Sequence, residues 1–202
     1  MRQYEHTHPW ITFSLDLRPA PPKLWMLLGE CQSKCEHIAG VPLRPAIAQH
    51  LHQLYLAKGV SATTAIEGNT LSEKQVLDHL RGRLELPRSQ EYLKQELNNI
   101  ADGCNSILNQ VRTRRLPKLT SDGIKELNRT VLDKLPVEEH VVPGKVRSFS
   151  VGVANYRGAP AEDCNYLLDR LCEWLNGPGF EASPEQEISY AILKAAIAHL
   201  YL

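Results

Sequence analysis

The segment from Glu91 to Arg114 constrains this chain more than any other. Its apolar residues fall at 93, 97, 100, 104, 107, 108 and 111, a spacing that gathers them on one face of a helix. Such a face has to be covered, and the neighbouring segments supply further helices to cover it. Lys23 to His37 carries apolar residues at 24, 27, 28, 31 and 35, with Gly40 and Pro42 to end the pattern. Leu43 to Lys58 reads as a second helix, with Leu51, Leu54 and Tyr55 on one stripe and Gly59 as its stop. Ser61 to Glu67 is short and separate. Ser72 is placed to cap a helix reaching Arg81, with Glu73 in the first turn and Gln75 at its third position. Leu86-Pro87 interrupts before the long helix begins.

The second half continues in the same manner, with one exception. Thr120 or Ser121 caps a helix running to about Leu135. Ala161 to Asn176 and Pro184 to Leu202 read as two more, the last with Ile188, Ala191, Ile192, Ala195, Ala196 and Leu200 facing inward. Between them, Pro136 to Pro160 holds three prolines, three glycines, an alternation from Ser148 to Val153 and a turn-forming Asn155. That is the composition of a β-hairpin or extended arm. Near the N-terminus, Trp10 to Leu17 alternates and reads as a short strand. No βαβ alternation suggests a parallel sheet. The expected fold is therefore all-α, a helical bundle with one β-hairpin and an N-terminal extension. The expected division is 1–40 for the extension, 41–118 for a helical region and 119–202 for a core.

Composition limits the function classes. Apolar residues make up 43% and charged residues 23% of 202 residues, values of a globular chain rather than a disordered one. Formal net charge is zero, so no general attraction to nucleic acid or anionic membrane is expected. Arg112, Arg114, Arg115 and Lys118 read as a solvated helix end. No apolar run approaches the roughly 20 residues of a membrane span, and no signal-peptide pattern opens the chain. Five cysteines at 31, 35, 104, 164 and 172 fit no disulfide framework, which points to reduced thiols and a cytoplasmic setting. Cys31-x-x-x-Cys35-x-His37 lacks a partner pair, so no metal site is assigned.

Thr63-Thr64-Ala65-Ile66-Glu67-Gly68-Asn69 is the motif with most chemical content. Thr63 and Glu67 stand at i and i+4, on one helix face. Thr63 can brace that face while Glu67 projects from the end, and Gly68-Asn69 breaks the helix by tolerating left-handed backbone angles. By itself this is a short signal. Further motifs follow in order: Pro143-Gly144-Lys145-Val146-Arg147-Ser148, then Val151-Gly152-Val153, then Tyr156-Arg157-Gly158-Ala159-Pro160; Tyr166 to Asn176; and Ala195 to Leu202.

Taken together, residues 40 to 202 resemble the Fic-domain family, in the class whose inhibitory helix precedes the catalytic core. The T-x-x-x-E-G-N motif resembles the inhibitory helix (61–69). The Pro143 to Pro160 stretch resembles the flap hairpin, and the last two segments resemble the helices that lead to the signature loop. That signature, H-x-F-x-D/E-G-N-G-R, occurs nowhere in the 202 residues, so no catalytic residue carries over. His199 reads as a helix residue, not the catalytic base, and Asn128 stands where relatives often have His.

The resemblance implies a protein adenylyltransferase, moving AMP from ATP to a Ser, Thr or Tyr hydroxyl of a protein substrate, with Mg²⁺ required by the intact protein. It implies that Glu67 autoinhibits by pairing with a signature arginine that would otherwise hold a phosphate. It places Thr63, Gly68 and Asn69 as supports for that helix. It also implies that Ser148, Phe149, Ser150, Val151, Gly152 and Val153 dock the target segment by strand addition. A homodimer follows from the resemblance alone, as does transfer of UMP, phosphate or phosphocholine in place of AMP. A chain of these 202 residues is expected to be inactive by itself. The alternative is a non-enzymatic regulator that inserts Glu67 into the nucleotide site of a complete Fic partner.

Overall fold

Most of the helices expected from periodicity are present in the computed structural model, which describes residues 2–113, 118–153 and 156–202. The fold is all-α, with eight α-helices among those residues. They are α1 (Gln3–Thr7), α2 (Pro22–Ala39), α3 (Pro45–Ile66), α4 (Glu73–Leu80), α5 (Glu91–Arg112), α6 (Ser121–Val131), α7 (Ala161–Leu175) and α8 (Glu187–Tyr201). The β-structure among the described residues is one antiparallel hairpin, β1 (Gly152–Val153) with β2 (Tyr156–Arg157), in which Gly152 faces Arg157 and Val153 faces Tyr156. Asn155 and Arg114 to Pro117 lie outside the described residues, and with them the expected turn residue and half of the basic cluster.

The chain forms two compact units. Each is built from discontinuous segments, unlike the contiguous division drawn from sequence. One unit comprises Leu43–Pro117 and Asp122–Lys145. Its core is Ala57 and Val60 of α3, Leu71, Val76 of α4, and Leu93, Leu97 and Ala101 of α5. Leu97 is fully enclosed, at 0% exposure. The buried positions 93, 97 and 101 recur at helical spacing on α5, whereas Cys104, Ile107 and Val111 further along are exposed. Asn99, also buried, donates to the carbonyls of Val131 and Asp133 at 2.9 and 2.8 Å, closing the C-terminus of α6. Lys134 is left-handed (φ 56), so α6 stops short of the expected Leu135.

Gly59 does not end a helix. It sits inside α3, which continues from Pro45 to Ile66 and incorporates the segment expected to be a separate short helix. A mid-helix glycine costs about 1 kcal/mol. Burial of Ala57, Val60, Ser61 and Thr64 around it outweighs that cost. Tertiary packing overrides the local break.

The other unit comprises Met1–Pro42, Lys118–Ser121 and Val146–Leu202. Leu171 and Leu175 of α7 and Ile197 of α8 are its apolar centre, flanked by Phe13, Leu119, Trp174, Phe180 and Tyr201. The strand expected over Trp10 to Leu17 is absent. Phe13 adopts φ 48 and breaks the extended path, and its ring packs on Tyr201 at 5.3 Å and Trp174 at 6.0 Å. These contacts hold the aromatic residue in an otherwise disfavoured conformation.

On α8 the buried stripe is displaced from the expected one. Ile197 is buried and Tyr190, Leu193 and Tyr201 are half-buried, while Ala191, Ile192, Ala195 and Ala196 are exposed and Leu200 is 83% exposed. A helix apolar on most sides leaves its rotation to its neighbours. Gln32 of α2 fixes it by accepting from the N–H groups of Ile188 and Ser189 at 3.0 and 3.1 Å, a cap delivered from another helix.

Candidate functional site

Glu67 is the C-cap of α3, and the helix ends there by backbone chemistry. Gly68 has φ +93. Its N–H donates to the Ala65 carbonyl at 3.1 Å, and the Asn69 N–H reaches back to the Thr64 carbonyl at 3.0 Å. This pair of reversed bonds is the Schellman termination, and it requires a residue that tolerates left-handed angles at Gly68. The turn is then pinned from below. Asn69 is buried, donates to the Leu93 carbonyl (3.2 Å) and the Glu96 carboxylate (2.7 Å), and accepts from the Leu71 N–H (3.0 Å).

The support expected of Thr63 comes from its neighbour. Thr63 is exposed, whereas Thr64 is buried and its hydroxyl donates to the Val60 carbonyl at 3.0 Å. One residue further along, the face has turned inward. Ile66, at 83% exposure, and Glu67 form the tip. Among the described residues the Glu67 carboxylate makes no hydrogen bond or ion pair. The Glu67 N–H donates to the Thr64 carbonyl at 3.1 Å, and the residue is exposed.

The hairpin expected to dock a target lies in the other compact unit. The extended run predicted from Ser148 to Val153 is strand only at Gly152–Val153; Ser148, Phe149, Ser150 and Val151 lead into it as irregular backbone. Arg147 holds its base, donating to the Phe149 carbonyl at 2.6 Å and to the Ala159 carbonyl. Gly158 donates to the Val151 carbonyl at 2.9 Å. A Cβ at Gly158 would meet a Val151 methyl at 2.8 Å and the Arg147 guanidinium at 3.0 Å, so the close approach needs glycine. Behind the hairpin lies a cavity of about 320 Å³, lined in part by Arg147, Val151, Cys164 and Leu167. Burial pushes the Cys164 thiol above its ordinary range, opposed in part by the nearby Arg147 charge.

The N-terminal arm, which the sequence reading left without a role, completes this region. Asp163 in the first turn of α7 is buried, pairs with Arg2 at 3.2 Å and accepts from the Tyr4 N–H at 2.8 Å. The Arg2 guanidinium lies 3.8 Å over the Tyr166 ring. His8 is buried, with Nε2 2.9 Å from the Arg157 carbonyl and Nδ1 2.8 Å from the Thr7 hydroxyl. The Trp10 ring lies beside it, tilted by 56°, with centroids 5.1 Å apart. A cleft of about 760 Å³ runs here, with Trp10 and Tyr156 on its walls at 60% and 59% exposure. The one signal available in sequence is the grouping His8-Pro9-Trp10 in a polar, Pro-rich stretch.

Of the other residues considered, His199 is exposed and Asn128 accepts from the Gly144 N–H at 2.9 Å, a structural tie. Mg²⁺ takes hard oxygen donors in a near-octahedral set. Among the described residues no group of three His, Cys, Asp or Glu could hold a metal ion, and the sequence lacks the signature that would hold phosphates. No chemical step is assigned through ATP or Mg²⁺. Among the described residues no helix is long and apolar enough to cross a membrane. The chain matches no known protein-family model and no solved structure.

Proposed function

We propose that this chain is the inhibitory and target-docking part of a Fic-type protein adenylyltransferase, in which Glu67 restrains transfer of AMP to a protein hydroxyl. The observation that carries the reading is the exposed Glu67 carboxylate, without a hydrogen bond or ion pair among the described residues, on a helix end fixed by a Schellman turn and the buried Asn69. A carboxylate held in that manner can accept both N–H groups of a guanidinium. By doing so it competes with a phosphate for the same cation. The hairpin supports the second half of the reading, since a short strand with an open edge can receive an extended segment through main-chain bonds.

The test uses the protein expressed from its native gene, supplied with labelled ATP. Glu67→Gly is expected to raise incorporation of label into protein severalfold. Equal incorporation by the wild type and the variant overturns the inhibitory role. The absence of H-x-F-x-D/E-G-N-G-R from the 202 residues favours a second reading, a regulator that offers Glu67 to a separate Fic protein. Intact mass of the native protein separates the two readings. A value of 22.8 kDa, together with a complex with a Fic protein that is lost in Glu67→Ala, selects the regulator.

A further inference from the structure

A hairpin of two residues per strand is marginal without support, and its two edges are not equivalent here. The bond from the Gly158 N–H to the Val151 carbonyl lies immediately outside the Gly152–Arg157 pair. That pair is therefore of the non-hydrogen-bonded type, and both residues turn their N–H and C=O groups outward. On β2 the outward carbonyl of Arg157 is taken by His8 Nε2 at 2.9 Å. On β1 no partner engages the outward groups of Gly152 among the described residues. One edge is capped and the other is open.

We propose that His8 is the positioning residue of the docking hairpin: its Nε2–H holds the β2 edge through the Arg157 carbonyl and leaves β1 as the edge to which an extended partner segment adds. This rests on the docking role proposed above and adds to it the arm residue that selects the edge. The required proton position follows from the neighbours. A carbonyl oxygen only accepts, so Nε2 carries hydrogen. Thr7 has one hydroxyl hydrogen for the Gln3 carbonyl at 3.0 Å and for Nδ1 at 2.8 Å; with Nε2–H on a neutral ring, that hydrogen goes to Nδ1. The arm can hold the ring there because Arg2 and Tyr4 are tied to the buried Asp163.

The experiment is site-resolved amide exchange and imidazole nitrogen NMR on the full 202-residue chain. In the wild type, His8 is expected as the Nε2–H form, with the Gly158 N–H protected and the outward Gly152 N–H exchanging rapidly. Glutamine places its amide nitrogen near the His Nε2 position, and asparagine places it near Nδ1. His8→Ala and His8→Asn are therefore expected to speed Gly158 exchange roughly tenfold, the loss of one hydrogen bond, while His8→Gln restores protection. Protection of the Leu171 and Leu175 amides in α7 reports whether each variant remains folded. An Nδ1–H tautomer in the wild type overturns the proposal even if every variant unfolds. Unchanged Gly158 exchange in a folded His8→Ala, or equal rescue by asparagine and glutamine, also overturns it. None of these readouts depends on AMP transfer. A failure of Glu67→Gly to raise labelling would instead count against the proposed function and leave the exchange result standing.

Discussion

The tip of α3 and the hairpin β1–β2 hold their functional groups in opposite ways. At Glu67 the support is buried and close in sequence: Thr64, the Schellman turn at Gly68, and Asn69 fixed to α5. At the hairpin the support is largely backbone carbonyls seized by cationic or ring donors, Arg147 at the base and His8 from an arm about 150 residues away in sequence. A charge proposed to compete with a phosphate gains from a rigid mount, since ordering it at the moment of contact would cost entropy. A strand proposed to receive an extended segment gains from an edge that stays open. The difference teaches that pre-organisation is concentrated where the group is a single point charge.

Breaking the mount at Asn69 is expected to have the largest effect. Asn69→Ala removes a buried amide with three hydrogen-bond contacts and leaves the Leu71 N–H buried without its partner. The expected loss is about 2 kcal/mol of stability, read as a lowered urea midpoint. The comparison fails if the loss is below about 0.5 kcal/mol, because the tip would then be held by the turn alone.

Asn69 also marks the limit of what the sequence disclosed. Local chemistry was legible. Ser72 and Gln75 form the expected capping box, with Gln75 Oε1 accepting from the Ser72 N–H at 3.0 Å, and Gly68 takes the left-handed angle its type suggests. Long-range amides were not legible. Gln32 caps α8, Asn99 closes α6, and Asn176 exchanges bonds with Leu119 at 2.7 and 3.2 Å. Each resembles an ordinary surface amide until its partner is brought near by folding. The rotation of α8 was hidden for a related reason, since its apolar residues occur on most sides and long-range contacts, among them the Gln32 cap and the aromatic stack, choose among them. For the candidate site, the position of Glu67 at a helix end was legible, whereas the contribution of the N-terminal arm was not.

The two glycines sharpen the contrast at a smaller scale. Gly68 has open space where a Cβ would stand, and its requirement is the left-handed backbone alone. Gly158 has no such backbone constraint, and its requirement is the crowding by Val151 and Arg147. Alanine is expected to cost about 1 kcal/mol at each, by strain at Gly68 and by overpacking at Gly158. The exchange pattern distinguishes them: Gly68→Ala should loosen the Asn69 amide and Gly158→Ala the hairpin amides. Loosening of both regions by either substitution would refute their separate support.

The smallest expected effect is at Glu67 itself, and its smallness is informative. A carboxylate at a helix C-terminus faces the negative end of the helix dipole, an arrangement that costs a few tenths of a kcal/mol at an exposed position. Among the described residues no cation or donor offsets that cost. Glu67→Gln keeps the shape and removes the charge. Thermal unfolding of this variant is therefore expected to be unchanged or raised by about 0.3 kcal/mol. A loss of more than about 1 kcal/mol would show that the carboxylate supports the fold, and its place at the tip would no longer need a partner outside the chain to account for it. Neutral or improved stability, combined with raised AMP transfer in Glu67→Gly, leaves the charge explained by what it does to a bound phosphate rather than by the helix that carries it.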